Sequence, residues 1–282
     1  MKKTDKVSIY CFSGTGNSAK VAGWMKEVAG ERQLPCEITN IGSRPSAPPQ
    51  KPESGELLVF TSPIHGFNYP PLMLKFLLRF PRGHNRVVLM NTRAGMLIGK
   101  FITPGVTGIA FYLAALILMF KGYRIQALKA VDMPSNWISL HPGLNQPTVL
   151  YLHQRNVDRV KRFAARIYDG KPFFRCLLEV YDLLLLPVAA GYYFIGRFFL
   201  AKTFVASADC NLCGKCLDGC PVKAIKLVDN RPFWTLSCES CMHCMSYCPV
   251  KAIETNHGVI AVFVLGWNLL TVWLLSQIPL VQ

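Results

Sequence analysis

The stretch that organises this sequence is Cys210-x2-Cys213-x2-Cys216-x3-Cys220-Pro221, which is repeated as Cys238-x2-Cys241-x2-Cys244-x3-Cys248-Pro249. In each run, three closely spaced thiolates on one tight loop can face three corners of an iron–sulfur cubane. The fourth corner needs a ligand from elsewhere, and the proline after the last cysteine turns the chain away. The spacing therefore predicts two [4Fe–4S] clusters.

These cysteines have two other interpretations, as zinc ligands or as a disulfide framework. Paired Cys-x2-Cys motifs also bind structural zinc in tetrahedral sites. Four cysteines per run, the Cys-Pro endings and the duplication favour iron–sulfur clusters over zinc. A disulfide framework is disfavoured because the N-terminus does not resemble a secretory signal. The other cysteines, Cys11, Cys36 and Cys176, are predicted to be small buried hydrophobic side chains.

The two runs resemble those of bacterial two-cluster ferredoxins, in which the fourth cysteine of each run ligates the other cluster. This resemblance implies a small α+β two-cluster ferredoxin-like domain, which we place at residues 203–257. The first cluster would bind to Cys210, Cys213, Cys216 and Cys248. The second cluster would bind to Cys238, Cys241, Cys244 and Cys220.

Charge is distributed unevenly along the 282 residues. The chain has 31 Lys and Arg residues against 16 Asp and Glu residues, a net charge of +15. From residue 201 onward, 6 basic residues face 5 acidic ones, so only +1 lies there and +14 lies before it. Such a charge suits nucleic acid, an anionic membrane surface or an acidic protein partner. We expect no nucleic-acid partner, because no zinc-finger, RNA-recognition or helix-turn-helix pattern accompanies the charge.

A second motif lies near the N-terminus. The apolar run at residues 6–12 predicts a buried parallel strand. It leads into Ser13-Gly14-Thr15-Gly16-Asn17-Ser18, after which apolar residues recur at helical spacing. Backbone amides, hydroxyl groups and the start of a helix together suit a phosphate group. An ordinary turn between strand and helix, with a capping serine, is the alternative.

This loop resembles the phosphate loop of flavodoxins, Ser/Thr-x-Thr-Gly-x-Ser/Thr, which holds the 5′-phosphate of FMN. The resemblance implies an α/β flavodoxin-like doubly wound parallel sheet at residues 1–170, before the ferredoxin-like domain. It also implies flavin binding at the carboxyl ends of the strands. The expected phosphate ligands are Ser13, Thr15, Gly16, Asn17 and Ser18.

The order of the predicted strands agrees with this resemblance. Strands are expected at Cys36–Asn40 and at residues 57–61, 86–91 and 123–131. The loops after the strands at 57–61 and 86–91 would flank the flavin ring. They add these expected cofactor-binding residues: Ser62, Pro63, Ile64, His65, Gly66, Asn91, Thr92, Arg93 and Gly95.

The side chains of these loops have different expected roles. Phe67 or Tyr69 could stack on the flavin ring or pack against a helix. His65 would lie near N5 of the flavin or be a solvated loop residue, and the second alternative is favoured. Arg93 would stabilise an anionic hydroquinone through its charge.

Several apolar segments raise the question of a membrane. Residues 101–120 carry no charge over the length of a membrane span, but early Pro and Gly residues favour a buried helix at residues 109–120. Residues 155–175 are basic, which suits a solvated helix or anionic lipid. Residues 171–202 are predicted to be a hydrophobic linker or an interfacial helix.

Residues 258–282 form an uncharged tail and are a candidate membrane anchor. The alternative is a helix packed on the first domain or on a second subunit. Because basic residues precede the tail, we expect both domains in the cytoplasm, attached to the cytoplasmic face of the membrane through this tail.

The chain as a whole resembles the fusion family in which a flavodoxin-type domain precedes a two-cluster ferredoxin. This resemblance implies electron transfer between two [4Fe–4S] clusters and FMN, with a redox protein or a small acceptor as partner. Whether the chain is also an FMN and iron–sulfur oxidoreductase that reduces a substrate is an open alternative. The alternative is a pure electron carrier that docks on a larger membrane redox complex.

Overall fold

The computed structural model of the chain describes residues 4–42, 49–98, 101–138, 143–174 and 180–276. It divides into two compact units, unit 1 at Met1–Ile195 and unit 2 at Gly196–Gln282. The division falls inside the range predicted to be a linker. Cys176, which was predicted to be buried, lies outside the described residues.

Unit 1 is built on a sheet whose strands are β1 (Lys6–Cys11), β2 (Cys36–Asn40), β3 (Glu56–Pro63), β4 (Arg86–Ile98), β5 (Phe101–Thr103) and β6 (Arg124–Pro134). Five strands are parallel, in the order β2, β1, β3, β4, β6, and β5 pairs antiparallel with the end of β4. This is the doubly wound order of the flavodoxin-like fold. The predicted fold class is therefore confirmed.

Four helices cover the sheet: α1 (Asn17–Glu31), α2 (Pro71–Arg79), α3 (Ala110–Phe120) and α4 (Gln146–Tyr168). Helices α1 and α4 pack together over one face, where Met25 and Ile167 join the buried core. On the other face, the ring centroid of Phe60 lies 5.4 Å from that of Tyr10 and 5.2 Å from that of Phe80. The central strand β3 is buried over almost its whole length, as its continuous apolar sequence requires in a sheet covered on both sides.

Helix α3 is only half buried, which differs from the predicted buried helix at residues 109–120. Ala114 and Leu118 are fully buried, whereas the side chains of Leu116, Met119 and Phe120 are 50%, 60% and 74% exposed. A helix in the outer layer of a three-layer fold can bury only one side. The apolar composition of α3 therefore leaves an apolar surface.

Residues 180–202, which include the boundary between the two units, are helical. They consist of a 3₁₀ turn at Val180–Leu185, α5 (Leu186–Gly191), a π-helical turn at Tyr192–Gly196 and α6 (Arg197–Lys202). Among the described residues, one helical run, Tyr181–Lys202, is long and apolar enough to cross a membrane, and 11% of its most apolar window is buried.

Unit 2 is a small α+β module with two short antiparallel pairs. They are β7 (Phe204–Ala206) with β10 (Ile253–Thr255), and β8 (Ile225–Val228) with β9 (Arg231–Trp234). Helices α7 (Lys215–Asp218) and α8 (His243–Ser246) lie within the cysteine runs. This architecture is consistent with the predicted small ferredoxin-like domain.

The predicted tail begins as a long helix, α9 (His257–Ser276). On this helix, the side chains of Val262, Leu265 and Leu269 are exposed. Residues 277–282 lie outside the described part of the chain. Attachment of this tail to a membrane stays a prediction.

Candidate cofactor sites

The predicted phosphate loop, residues 13–18, connects β1 to the start of α1. Gly16 has φ = 98° at the N-cap of α1, a conformation that favours glycine. No side chain caps this helix, and its first turn contains no acidic residue. The amides of that turn therefore keep their capacity for an anion at the positive end of the helix dipole.

The side chains of this loop contact other parts of the sheet edge. The Oγ of Ser18 lies 2.8 Å from Oγ1 of Thr92. Asn17 donates to the carbonyl oxygen of Pro134 at 2.7 Å, and Asn136 donates to the hydroxyl of Thr15. These bonds bring residues 13–18 to the ends of β4 and β6, as the flavodoxin-like topology requires.

The predicted loop at residues 62–70 begins at the end of β3. The amide of Ile64 donates to the carbonyl of Thr92 at 3.0 Å, which joins this loop to β4. His65 and Asn68 then exchange two backbone hydrogen bonds in a tight turn. Gly66, at the centre of the turn, has φ = 53°, and a Cβ there would lie 2.1 Å from the ring of Tyr192. Tyr192 is therefore packed directly over this loop.

Residues 92–96 were predicted to be a loop beside the flavin, but they form a strand; their contact with a flavin stays a prediction. These residues continue β4, where Arg93 is opposite Asp132 and Gly95 is opposite Pro134. A Cβ on Gly95 would come within 3.0 Å of the carbonyl oxygen of Asp132, so glycine permits this close pairing. The strand persists beyond the expected edge because β6 extends alongside it.

Arg93 forms an ion pair at this edge of the sheet, and its expected effect on a flavin hydroquinone stays a prediction. Its Nε donates to Oδ1 of Asp132 at 2.6 Å, and its guanidinium also donates to Oγ1 of Thr107 at 3.2 Å. The backbone amide of Gly105 donates to the same Asp132 oxygen at 2.9 Å. The side chain of Arg93 is only 10% exposed, so its charge is largely compensated by Asp132.

In the described part of the chain, buried polar groups without hydrogen bonds lie near the carboxyl end of β3 and beside it, midway along β4. Asn91 is fully buried, and neither Nδ2 nor Oδ1 has a partner in the described part of the chain. Among the same residues, the buried Oγ1 of Thr61 is also unpartnered. Leaving such groups unsatisfied costs about 1–3 kcal/mol each, which makes this region a candidate for ligand contacts.

The aromatic residues near the loops divide into core and surface positions. Tyr69 is 1% exposed and its hydroxyl donates to the carbonyl of Met90 at 2.9 Å, so it belongs to the core. Trp137 and Tyr192 form an aromatic pair that no sequence pattern indicated. Their rings meet edge to face at 5.7 Å. Tyr192 lies in an apolar run with no signal that separates it from packing residues.

The eight motif cysteines gather in two groups within unit 2. Cys210, Cys213, Cys216 and Cys248 line one cavity. Cys220, Cys238, Cys241 and Cys244 line another. Each group takes three cysteines from one run and the last cysteine from the other run. This is the crossed arrangement that the resemblance to two-cluster ferredoxins implied.

The backbone of the two runs repeats with an offset of 28 residues. Left-handed φ values of 58° at Leu212 and 74° at Gly214 correspond to 49° at Ser240 and 60° at Met242. Non-glycine residues rarely adopt positive φ. Alternation of this kind turns successive amides toward one point and forms an anion-binding concavity.

The last cysteine of each run accepts a matching hydrogen bond. The amide of Ala224 lies 3.2 Å from Sγ of Cys220, and the amide of Ala252 lies 3.3 Å from Sγ of Cys248. Such donors stabilise a thiolate and tune a bound cluster.

Burial acts in the opposite direction on these thiols. It raises the pKa of Cys238 to about 12 and the pKa of Cys244 to about 11. A buried thiolate without a positive partner is unfavourable. Within the described residues, no three His, Cys, Asp or Glu side chains are placed to hold a single metal ion.

Comparisons with known proteins give weak similarities to flavodoxins. No protein-family model matches the chain, and no curated protein matches it. Oxidised flavodoxin 1 from Bacillus cereus matches with 15% identity and a TM-score of 0.40, over 57% of this chain and 95% of that one. General stress protein 14 in complex with FMN, from Treponema denticola, matches with 13% identity and a TM-score of 0.35, over 58% and 98%.

A larger protein also shares this similarity. Rubredoxin oxygen:oxidoreductase from Desulfovibrio gigas matches with 14% identity and a TM-score of 0.35, over 58% of this chain and 37% of that one. The assignment of the fold rests on the strand order of unit 1 and not on these scores.

Proposed function

We propose that this chain is an electron-transfer protein that binds two [4Fe–4S] clusters in unit 2 and FMN in unit 1. The observation that carries the proposal is the grouping of eight cysteines in two crossed sets of four. When bound, the clusters pass single electrons and the flavin holds one or two. The chain would then link one-electron and two-electron chemistry.

The cysteine sites fit iron–sulfur clusters in several ways. Each set provides the four thiolates that one cubane needs. The left-handed residues of both runs, and the amides of Ala224 and Ala252 that donate to Cys220 and Cys248, supply hydrogen-bond donors for bound anionic sulfur. Burial opposes a free thiolate at Cys238 and Cys244, so iron would provide the missing positive charge.

The carboxyl edge of unit 1 fits FMN. The uncapped start of α1 and the hydroxyls of residues 13–18 suit the phosphate group. Thr61 and Asn91 offer buried polar atoms that have no partner in the described chain. Ser62, Pro63, His65 and Gly66 lie beside this edge, and Tyr192 packs on Gly66. The Arg93–Asp132 pair holds the β4–β6 extension in place near the same edge.

The first test is the cofactor content of the full chain, purified without oxygen in mild detergent. We expect about eight iron atoms and about eight sulfides per chain, with one equivalent of FMN. Zinc in place of iron would overturn the proposal for unit 2. Iron without flavin would overturn it for unit 1 alone.

Single cysteine substitutions test the crossed ligand sets. Cys220→Ser should damage the cluster that depends mainly on the Cys238 run, and Cys248→Ser should damage the one that depends on the Cys210 run. Each variant should lose up to about half of the iron, with a change in one set of electron paramagnetic resonance signals. Cys36→Ser, outside both runs, is the matched control. Loss of the same signals in both variants would contradict the crossed arrangement.

A threonine pair tests the phosphate loop. Thr15→Val removes a predicted phosphate ligand, whereas Thr39→Val changes an exposed residue of β2. We expect Thr15→Val to raise the Kd for FMN about tenfold or more, because it removes one hydrogen bond to a charged group. The control should bind FMN normally. Equal affinity of both variants would remove residues 13–18 from the site.

A reductase and a pure electron carrier can be distinguished by measuring turnover of a small quinone. A reductase should use the reduced flavin to convert a small quinone repeatedly. A pure carrier should exchange electrons with a protein partner and give no quinone turnover. The exposure of Cys213 favours exchange with a partner at that cluster. Because clusters and free thiols persist in reducing compartments, we place both units in the cytoplasm.

A further inference from the structure

Helix α3 presents an apolar surface to solvent. On this helix, the side chains of Leu116, Met119 and Phe120 are 50%, 60% and 74% exposed, while the opposite side packs on the sheet. A surface helix of a globular protein usually carries polar residues on its outer side. A group of protruding apolar side chains therefore marks an interaction site.

The segment after α4 brings further exposed apolar side chains near the start of α3. The buried carboxylate of Asp182 accepts a hydrogen bond of 3.0 Å from the amide of Gly108, just before α3 begins. Next to Asp182, the side chains of Leu184 and Leu186 are 78% and 53% exposed. Exposed leucines thus lie near the start of α3, and Phe120 lies at its end.

Two anchors hold this segment along unit 1. Asp182 is the first, and Tyr192, which packs on Gly66, is the second. Both residues lie inside the helical run Tyr181–Lys202 that is long enough to cross a membrane. Because both ends of residues 182–192 are fixed on unit 1, the exposed leucines belong to the surface of this unit. An interfacial position suits this part of the run better than a transmembrane one.

The part of the chain that contains α2 and α3 is basic. Residues 57–131 contain nine Lys and Arg residues and no Asp or Glu. Nζ of Lys121 donates to the carbonyl of Phe80 at 2.7 Å, and the amide of Gly83 donates to the carbonyl of Lys121 at 3.1 Å. These bonds join the ends of α2 and α3. Arg79 and Arg82 are exposed and directly precede Phe80 and Gly83, the two residues that bond to Lys121.

We propose that this side of unit 1 docks on a bilayer that contains anionic lipids. The apolar docking surface consists of Leu116, Met119, Phe120, Leu184 and Leu186, and the basic residues at its end are Arg79, Arg82 and Lys121. Apolar side chains beside cations are the chemistry of proteins that lie in the membrane interface. Leu116, Met119 and Phe120 suit the acyl region of the membrane interface, and the cations beside them suit anionic headgroups.

The test measures binding of the full, cluster-loaded chain to vesicles. Vesicles of phosphatidylcholine alone are compared with vesicles that contain about 30% phosphatidylglycerol, because anionic headgroups attract basic segments. We expect Met119→Gln with Phe120→Gln to weaken binding to the anionic vesicles about tenfold. Arg79→Gln with Arg82→Gln should remove most of the preference for the anionic vesicles.

Matched controls lie on α4, on the other face of the sheet. Leu150→Gln with Tyr151→Gln changes two exposed apolar residues, and Arg159→Gln with Arg162→Gln removes two exposed charges. Both controls should bind vesicles within about twofold of the unchanged chain. Circular dichroism checks that every variant is folded.

A photoactivatable phosphatidylglycerol distinguishes this surface from the other apolar helices. We expect crosslinks in residues 110–121 and 183–188. Crosslinks confined to α9, or equal losses in the α3 and α4 variants, would overturn the proposal. Self-association that Met119→Gln with Phe120→Gln abolishes, without vesicle binding, would assign the surface to a second copy and also overturn it. Absence of binding to either vesicle would favour an acidic protein instead.

Discussion

The two units of this chain are stabilised by different means. In unit 1, the eight-residue strand β3 and large side chains such as Phe12, Phe60 and Tyr69 are almost wholly buried. In unit 2, the strands have three or four residues, and α7 and α8 have four each. So small a core rarely suffices without a metal or disulfide. We therefore expect packing to specify unit 1, and we expect the groups proposed to bind the cysteines to stabilise unit 2.

Removal of iron should give the largest difference between the units. A chelator applied under anaerobic, reducing conditions should unfold unit 2 around its cysteines and leave unit 1 folded, because metal binding and folding are coupled in small metal domains. Hydrogen exchange would be compared between peptides from β3 and peptides from β8 and β9. Equal protection before and after iron removal would contradict the proposed dependence.

A core truncation should have the converse effect. Phe60→Ala removes a fully buried ring and should lower the free energy of unfolding of unit 1 by about 3–5 kcal/mol. The iron content should not change. Phe233→Ala, which truncates a ring that is 47% exposed in unit 2, is the control and should cost less than about 1 kcal/mol. Denaturant unfolding followed by fluorescence measures both.

Alkaline pH should weaken unit 1 through its buried acids. Burial raises the pKa of Tyr10 and of Cys11 to about 12. The folded state therefore retains these protons when the unfolded state has lost them. Stability is complete at neutral pH and falls as the pH rises from the ordinary pKa values of about 8.5–10 toward 12.

Thermal unfolding between neutral pH and the alkaline range measures this effect. Tyr10→Phe should flatten the fall, because phenylalanine has no proton to lose. An unchanged slope in this variant would show that Tyr10 does not contribute. The cluster-loaded protein is used, so that the motif cysteines are already bound as thiolates.

The smallest expected effect concerns a helix cap in unit 1. Oδ1 of Asn145 accepts a hydrogen bond of 2.9 Å from the amide of Thr148 at the start of α4. Asn145→Ala should cost about 1 kcal/mol, and Asn145→Asp should retain most of the stability. Chemical denaturation compares the two variants. Equal losses would show that the cap is not the cause.

Local sequence was sufficient for much of this molecule. The apolar run of β1, the glycine at position 16 and the helical spacing of α1 predicted a strand, a loop and a helix, all of which are present. The spacing of each cysteine run predicted tight loops, and the left-handed residues within them form such loops. In these places the determining interactions join residues that are close in sequence.

The errors and omissions involve residues that are far apart in sequence. Residues 92–96 form a strand because Arg93 pairs with Asp132, which is 39 positions later. Tyr192 reaches Gly66 across more than one hundred positions, so no local pattern could place it beside that loop. The exposed side of α3 was also missed, since an entirely apolar helix has no pattern that marks its outer face.

The sequence by itself determined the doubly wound sheet of unit 1, the phosphate loop motif and the eight motif cysteines. These features are visible in the sequence as short spacings and as a periodic pattern of apolar residues, both of which involve residues close together in the chain. Only the tertiary structure decided where β4 ends, which loop Tyr192 packs on and which apolar side chains remain in solvent. Those features depend on pairing and packing between distant segments, whose geometry no local pattern contains.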